Sequence, residues 1–102
     1  PDVRVVGPEA EARLDWLEVA RAIEAGHRRP RALIEDVLLR RGADALLNRS
    51  GWIDGLGILV KAATVFPGNA ARDLGTVNGV AALLSDGDGR LEALIDLRLL
   101  TK

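Results

Sequence analysis

From residue 32 onward the sequence places one short apolar segment after another, with turn chemistry rather than helical pattern between them. That order restricts the fold more than any other feature. Residues 32–39, 45–49, 58–66, 77–85 and 91–95 read as strands, bounded by glycine, proline, asparagine or aspartate. Arg41-Gly42-Ala43-Asp44 marks the first turn, and Gly51, Gly55 and Gly57 punctuate the second connection. Pro67-Gly68-Asn69 is a strong turn signal, and Asp86-Gly87-Asp88-Gly89 is the clearest hairpin in the chain. Upstream, residues 3–6 form a short candidate strand that Gly7-Pro8 ends, and Pro8 suits the first turn of a helix. Asp15 and Glu18 have capping-box spacing. Leu17, Ala20, Ile23 and Ala25 then recur near helical spacing, so a helix is expected over 16–25, with Gly26 as its stop. A further helix is expected to begin at Leu97. The sum is an α+β fold: N-terminal helices followed by about five strands in a mostly antiparallel sheet. Strands without helices between them do not make a βαβ unit. With no G-x-G-x-x-G or P-loop present, no Rossmann domain is expected within these residues.

At 102 residues the chain is the size of one domain, and a hydrophobic content of 48% supplies a core. The formal net charge of −1 gives no overall attraction to nucleic acid or anionic membrane. No apolar run approaches the roughly 20 residues that span a bilayer as a helix. Without cysteine there is no disulfide, thiolate metal site or cysteine nucleophile, which accords with a cytoplasmic protein. The chain contains no methionine and closes on a leucine-rich stretch. We therefore expect residues 1–102 to be a single domain cut from a longer protein.

Most of the charged motifs have plain readings. Asp86-Gly87-Asp88-Gly89 begins like a calcium loop, but the closing glutamate an EF-hand needs would fall at Leu97. A hairpin turn explains it. The run His27-Arg28-Arg29-Pro30-Arg31 has no aromatic residue interleaved with it, which argues against a nucleic-acid platform. His27, the only histidine, lacks a second imidazole for a metal site. Lys61 is different. It stands inside an apolar strand, where an ammonium must be desolvated or matched with an anion. Arg31 opens one strand, Lys61 lies within another and Thr76 begins a third. In one sheet they could converge on a small anion, the arginine through a two-pronged fork and the lysine as a point charge. Alternatively, Arg31 and Lys61 pair with Glu35, Asp36 or Asp54. Pattern alone leaves both open.

The segment from Lys61 through Val65-Phe66-Pro67-Gly68-Asn69 to Thr76-Val77-Asn78-Gly79 resembles the ornithine cyclodeaminase/μ-crystallin family. The hairpin, Asp96 and Leu100-Thr101 follow in the family's order, and the upstream helix and Pro30-Arg31 also fit. The resemblance implies an N-terminal domain for substrate binding and dimerisation, followed in the full protein by a Rossmann domain for NAD or NADP. It implies a homodimer acting on a small amino or imino acid, either cyclising ornithine to proline with loss of ammonia or reducing a cyclic imino acid. Carried over by position, Arg31 and Lys61 match residues that hold the substrate carboxylate, and Thr76 matches a threonine lining that site. The family's third carboxylate-binding arginine, its acid/base aspartate and its dinucleotide fingerprint would fall beyond Lys102. Neither cofactor binding nor turnover is expected of these residues alone. Leu97 stands where a glycine is usual, and Asn48-Arg49 where the family commonly has Met-Pro. The competing reading is a stand-alone, non-enzymatic dimerisation or small-anion-binding module derived from the family.

Overall fold

The computed structural model describes residues 4–6, 14–25 and 32–100. The expected helix at Pro8, the basic run from His27 to Arg31, and Thr101 lie outside the described residues. Within them the chain runs β1 (Arg4–Val6), α1 (Leu14–Ala25), β2 (Ala32–Arg41), β3 (Asp44–Ile53), β4 (Gly57–Val65), a 3₁₀ helix (Pro67–Arg72), β5 (Val77–Leu84), β6 (Leu91–Asp96) and α2 (Leu97–Leu100). The strands make one sheet of order β1-β6-β5-β4-β3-β2. All neighbours from β2 to β6 pair antiparallel, each joined to the next by its own connection. Only β1 runs parallel to its partner, Arg4 opposite Ala93 and Val6 opposite Ile95.

The expected α+β architecture is therefore the observed one, with local adjustments. The helix starts at Leu14, two residues early, so Asp15 lies inside its first turn. Gly51, expected in a connection, is an interior residue of β3, and the turn is confined to residues 54–56. Burial explains this: Gly51 is buried against Ile23 of α1, where a bare backbone suits the close approach of the helix. The Pro67-Gly68-Asn69 signal makes a 3₁₀ helix rather than a bare turn. The backbone N–H groups of Asn69 and Leu74 donate to Phe66 O and Asn69 O, closing it.

The hydrophobic core lies on one face of the sheet. Ala20 and Ile23 of α1 meet Ile53, Leu59, Ala81, Leu83, Ala93 and Ile95, each nearly inaccessible to solvent. Period-two alternation brings these strand residues to one side. The alanines let α1 approach closely, while Leu59, Leu83 and Ile95 fill the space beneath it. Full burial of each such large aliphatic side chain contributes about 1.5–3 kcal/mol. The opposite, outer face is apolar but open: Leu33, Val37, Leu39, Trp52, Val60 and Val80 are exposed there.

Two contacts set the end and the middle of the sheet. Trp52 Nε1 donates to Asp86 Oδ1 at 2.8 Å and the Gly55 amide donates to Asp86 Oδ2 at 3.0 Å, so the β5–β6 hairpin clips the β3–β4 turn. Gly79 of β5 faces Ala63 of β4. A methyl group there would collide with the Ala62 carbonyl oxygen and come within 2.9 Å of Ala63 Cα and 3.0 Å of Leu97 Cδ2. Gly79→Ala is therefore expected to cost roughly 1–3 kcal/mol in a urea unfolding series, as overpacking does. Gly68→Ala, with open space around it, should leave the midpoint nearly unchanged. Equal midpoints for the two variants would remove this account of Gly79.

Candidate functional site

Leu59 of β4 is buried beneath α1 and Ala63 is buried on the same face, so alternation puts Lys61 between them. The ammonium is not left unmatched there. Lys61 Nζ lies 2.6 Å from Glu24 Oε1 in the last turn of α1, and the lysine side chain is only 12% exposed. A lysine in this position is tolerable because the helix brings its counter-ion, and the ion pair fastens helix to sheet. Neither of the open readings of the sequence named Glu24. Its distance in sequence from Lys61 hid it.

The neighbouring strands extend the charge into a row. Arg49 of β3 is the register partner of Lys61, and Asp36 of β2 is the register partner of Arg49. Gly51 and Ile53 share the helix side with Arg49, so all three charged residues lie abreast on one face. Directly opposed residues on paired strands hold their Cβ atoms about 4.5–5.5 Å apart, and like charges so placed repel. Two acids offset that repulsion. Asp36 takes a two-pronged bond from Arg49, Nε to Oδ1 at 2.8 Å and Nη2 to Oδ2 at 2.9 Å, and Glu24 takes Lys61. Arg49's hydrogen bonds hold the Asp36 carboxyl below its usual 3.8, with the charges of Arg49 and Lys61 adding to the effect. The Arg49 guanidinium is held above its ordinary value, first by the hydrogen bonds to Asp36 and also by the charge of Glu24. The order across the site is negative, positive, negative, positive.

Beside this row lies a cavity of about 340 Å³, bordered by Ile23, Glu24, Ile34, Arg49, Gly51 and Leu59. Its walls are aliphatic and its polar edge is the Glu24–Arg49 part of the row. This volume stands at the small end of the range for ligand pockets, roughly 300–1,000 Å³.

Of the residues expected to share a site, Lys61 is in the row. Thr76 lies in the connection before β5, and its carbonyl accepts the Phe66 amide at 2.8 Å. Since Ala81 is the residue level with Lys61 on β5, the two positions are offset by five residues of strand, about 16 Å. Asn69 ties down the Thr76 loop by donating from Nδ2 to Gly75 O at 3.0 Å, and Asn78 Nδ2 donates to the same oxygen at 3.1 Å. Arg31 lies outside the described residues. The sequence did not single out Arg49 or Glu24 for the site, and Asp36, offered there as a partner for Arg31 or Lys61, bonds Arg49 instead. The signal for two of them was available: counting back from the Gly42-Ala43 turn pairs residue 36 with residue 49 across the hairpin. Asp86 and Asp88, considered for calcium, serve other donors: Asp86 the Trp52–Gly55 clip, and Asp88 the Arg90 amide.

Known proteins share both this sequence and this fold. A curated relative, the Delta(1)-pyrroline-2-carboxylate reductase of Paracoccus denitrificans, is 44% identical over 94 residues, covering 92% of this chain and 30% of its own. The Delta(1)-pyrroline-2-carboxylate reductase of Thermococcus litoralis, solved with NADH and L-proline, superposes with a TM-score of 0.73 at 15% identity. It matches 91% of this chain and 31% of its own. In sequence and fold the chain resembles the ornithine cyclodeaminase/μ-crystallin family. A lysine cyclodeaminase whose structure shows recognition of L-lysine, L-ornithine and L-2,4-diamino butyric acid gives a TM-score of 0.64 at 24% identity. That match covers 99% of this chain and 34% of the other. No family profile matches the chain. The chain thus spans about a third of the length of these family members, and its sheet is that of the family's N-terminal domain. Among the described residues no helix is long and apolar enough to cross a membrane.

The row has a pH signature. Asp36 has a folded-state pKa below its unfolded value, so its bond to Arg49 stabilises the fold at pH above the usual 3.8. That stabilisation is lost as pH falls through the lower folded value. Asp36→Asn should make the stability profile shallower below about pH 4 and leave its shape near pH 7 unchanged. Identical acid limbs for wild type and variant in urea melts across pH would contradict the Asp36–Arg49 assignment.

Proposed function

We propose that these residues form the substrate-binding and dimerisation part of an NAD(P)-dependent enzyme acting on a small amino or imino acid. The reaction we favour is reduction of a cyclic imino acid such as pyrroline-2-carboxylate. The observation that carries this reading is Lys61: a cation held on the buried side of an apolar strand, in a chain 44% identical to a pyrroline-2-carboxylate reductase. Ornithine cyclisation is the second chemistry of the same family. In this reading Lys61 and Arg31 hold the substrate carboxylate and orient the reacting carbon toward the cofactor, while Thr76, five residues along the neighbouring strand from the level of Lys61, lines a more distant part of the site. That is a role in positioning, not proton transfer. Hydride chemistry belongs to NAD or NADP bound by another part of the protein, which would act in the cytoplasm.

The outer face of the sheet supports the dimerisation half of the proposal. Leu33 is 68% exposed, Leu39 56%, Val37 51%, Trp52 43%, Val80 41% and Val60 39%, all on one side. So many exposed apolar side chains on one face of a domain, even with Glu35, Asn48 and Ser50 among them, favour an interaction site. A second copy, related by twofold symmetry, covers it with the same apolar surface.

Two measurements test the reading. The full-length protein should consume NADH or NADPH with pyrroline-2-carboxylate. Lys61→Ala should lower kcat/KM about 10–100-fold, the loss of one charge-assisted bond to the carboxylate. Wild-type protein inert toward pyrroline-2-carboxylate, ornithine and alanine alike would leave the stand-alone binding module as the better description. For the interface, sedimentation should give a dimer, and Val60→Asp should shift it toward monomer. A wild-type monomer at micromolar concentration would remove the homodimer.

A further inference from the structure

We propose that Asp86 is a covalent modification site, converting to isoaspartate through the amide of Gly87 when the clip at this end of the sheet opens. The sequence supplies the chemistry. Asp54, Asp86 and Asp88 are each followed by glycine, and the β3–β4 and β5–β6 turns bring all three to the same end of the sheet. Without a Cβ, glycine leaves its nitrogen unhindered as it reaches for the preceding side chain. That nitrogen bonds to Cγ of the neutral aspartic acid and gives up its proton, which leaves with the carboxyl hydroxyl as water. The product is a succinimide ring. Water then reopens the ring at either carbonyl carbon. Opening at the main-chain carbonyl leaves the chain running through Cγ, as isoaspartate, with the former carbonyl as a free carboxylate. Water is the one co-reactant, and residues 87–89 are exposed to it.

Hydrogen bonds decide which of the three reacts first, because a glycine amide must be released before it can attack. The Gly55 amide is held by the Asp86 carboxylate at 3.0 Å, a charge-assisted bond. The Gly89 amide is held within the turn by the Ser85 carbonyl at 2.9 Å. The Gly87 amide has the weakest hold: the neutral, rotatable Ser85 hydroxyl at 3.0 Å, which also takes the Asp88 amide at 3.4 Å. Asp88 is restrained further. Its carboxyl accepts the Arg90 amide at 3.1 Å and pairs with the Arg90 guanidinium at 3.2 Å, which keeps it below the usual carboxylate range and away from its neutral form. Asn78-Gly79 has related chemistry but lies inside β5, where extended, paired backbone disfavours ring closure. Asp86 itself is bonded by Trp52 and Gly55, so it reacts from the open clip. Conversion then prevents the clip from closing again. With Cγ in the main chain, Trp52 Nε1 and the Gly55 amide lose their acceptor, and the Gly55 nitrogen becomes available to Asp54. Trp52 borders a hollow of about 350 Å³ with Leu33 and Ile58, so its release registers in the indole environment.

Peptide mapping of the full-length protein, aged in mildly acidic buffer where aspartate is partly neutral, tests this. Isoaspartate should accumulate at residue 86 before residues 54 and 88, and tryptophan fluorescence should change in step with it. Ser85→Ala should speed conversion at residue 86 by about 2–10-fold, the loss of one neutral hydrogen bond. It should leave Asp88 at its wild-type rate, because the Ser85 carbonyl that holds Gly89 is retained. In Gly87→Ala the added methyl meets Ser85 Oγ at an ordinary 3.6 Å, so the fold should persist. Conversion at residue 86 should then fall to the level at Asp44, which precedes alanine. The wild-type map needs no variant and stands even if Ser85→Ala fails to fold. Wild-type conversion that begins at residue 54 or 88, or never reaches residue 86, would overturn the assignment. Equal acceleration at all three aspartates in Ser85→Ala would overturn the role of the Ser85 hydroxyl.

Discussion

The ammonium of Lys61 is the constraint around which the rest of this sheet is arranged. A positive charge between Leu59 and Ala63, facing a helix, can persist only if something negative meets it. Glu24 does so from the last turn of α1, and the bond ties the helix to the fourth strand at one definite position. The apolar contacts of Ala20 and Ile23 hold the helix against the sheet without choosing among nearby placements. The ion pair chooses. Placement of α1 in turn decides which part of the helix-side face is roofed and which borders the cavity at Arg49.

The two faces of the sheet carry different work because period-two alternation separates them residue by residue. In β4, Gly57, Leu59, Lys61 and Ala63 turn to the helix side, and the alternate positions, Val60 among them, turn to the open side. In the proposed function one strand thus supplies both a binding residue and a surface for association. A change of register by a single residue would exchange these roles, turning Lys61 to the open face and Val60 toward the charge row. Gly79 and the Trp52–Asp86–Gly55 clip both oppose such a slip, one by steric contact in the middle of the sheet and the other by hydrogen bonds at its end.

The architecture was legible in the sequence because it depends on local signals. Gly42, Pro67-Gly68-Asn69 and the Asp86–Gly89 run each announce a chain reversal, and strands joined by short reversals pair antiparallel. Gly51 misled because glycine usually punctuates, while here it clears space for Ile23. The prominence of Lys61 was readable too, since a cation inside an apolar run conflicts with its own surroundings. Its partner was not. Glu24 sits on a helical face full of ordinary charges, and nothing local distinguishes it from Glu18. Arg49 and Asp36 occupy an intermediate position: hairpin counting pairs them, but only burial of Gly51 and Ile53 shows which face they share. The parallel pairing of β1 with β6 has no local signature at all.

The strand order also bears on how the molecule assembles. From β2 to β6 every strand pairs with its neighbour in sequence, so this part of the sheet can grow hairpin by hairpin, with only short loops to close. Two elements cannot form that way. β1 must find Ala93–Ile95 near the far end of the chain, and Glu24 must wait for β4 to present Lys61. The open apolar face is complete as soon as the meander is, while the charge row still lacks its helix-borne acid. In the proposed function, association and recognition thus mature in sequence: a nascent sheet is adhesive before it is selective.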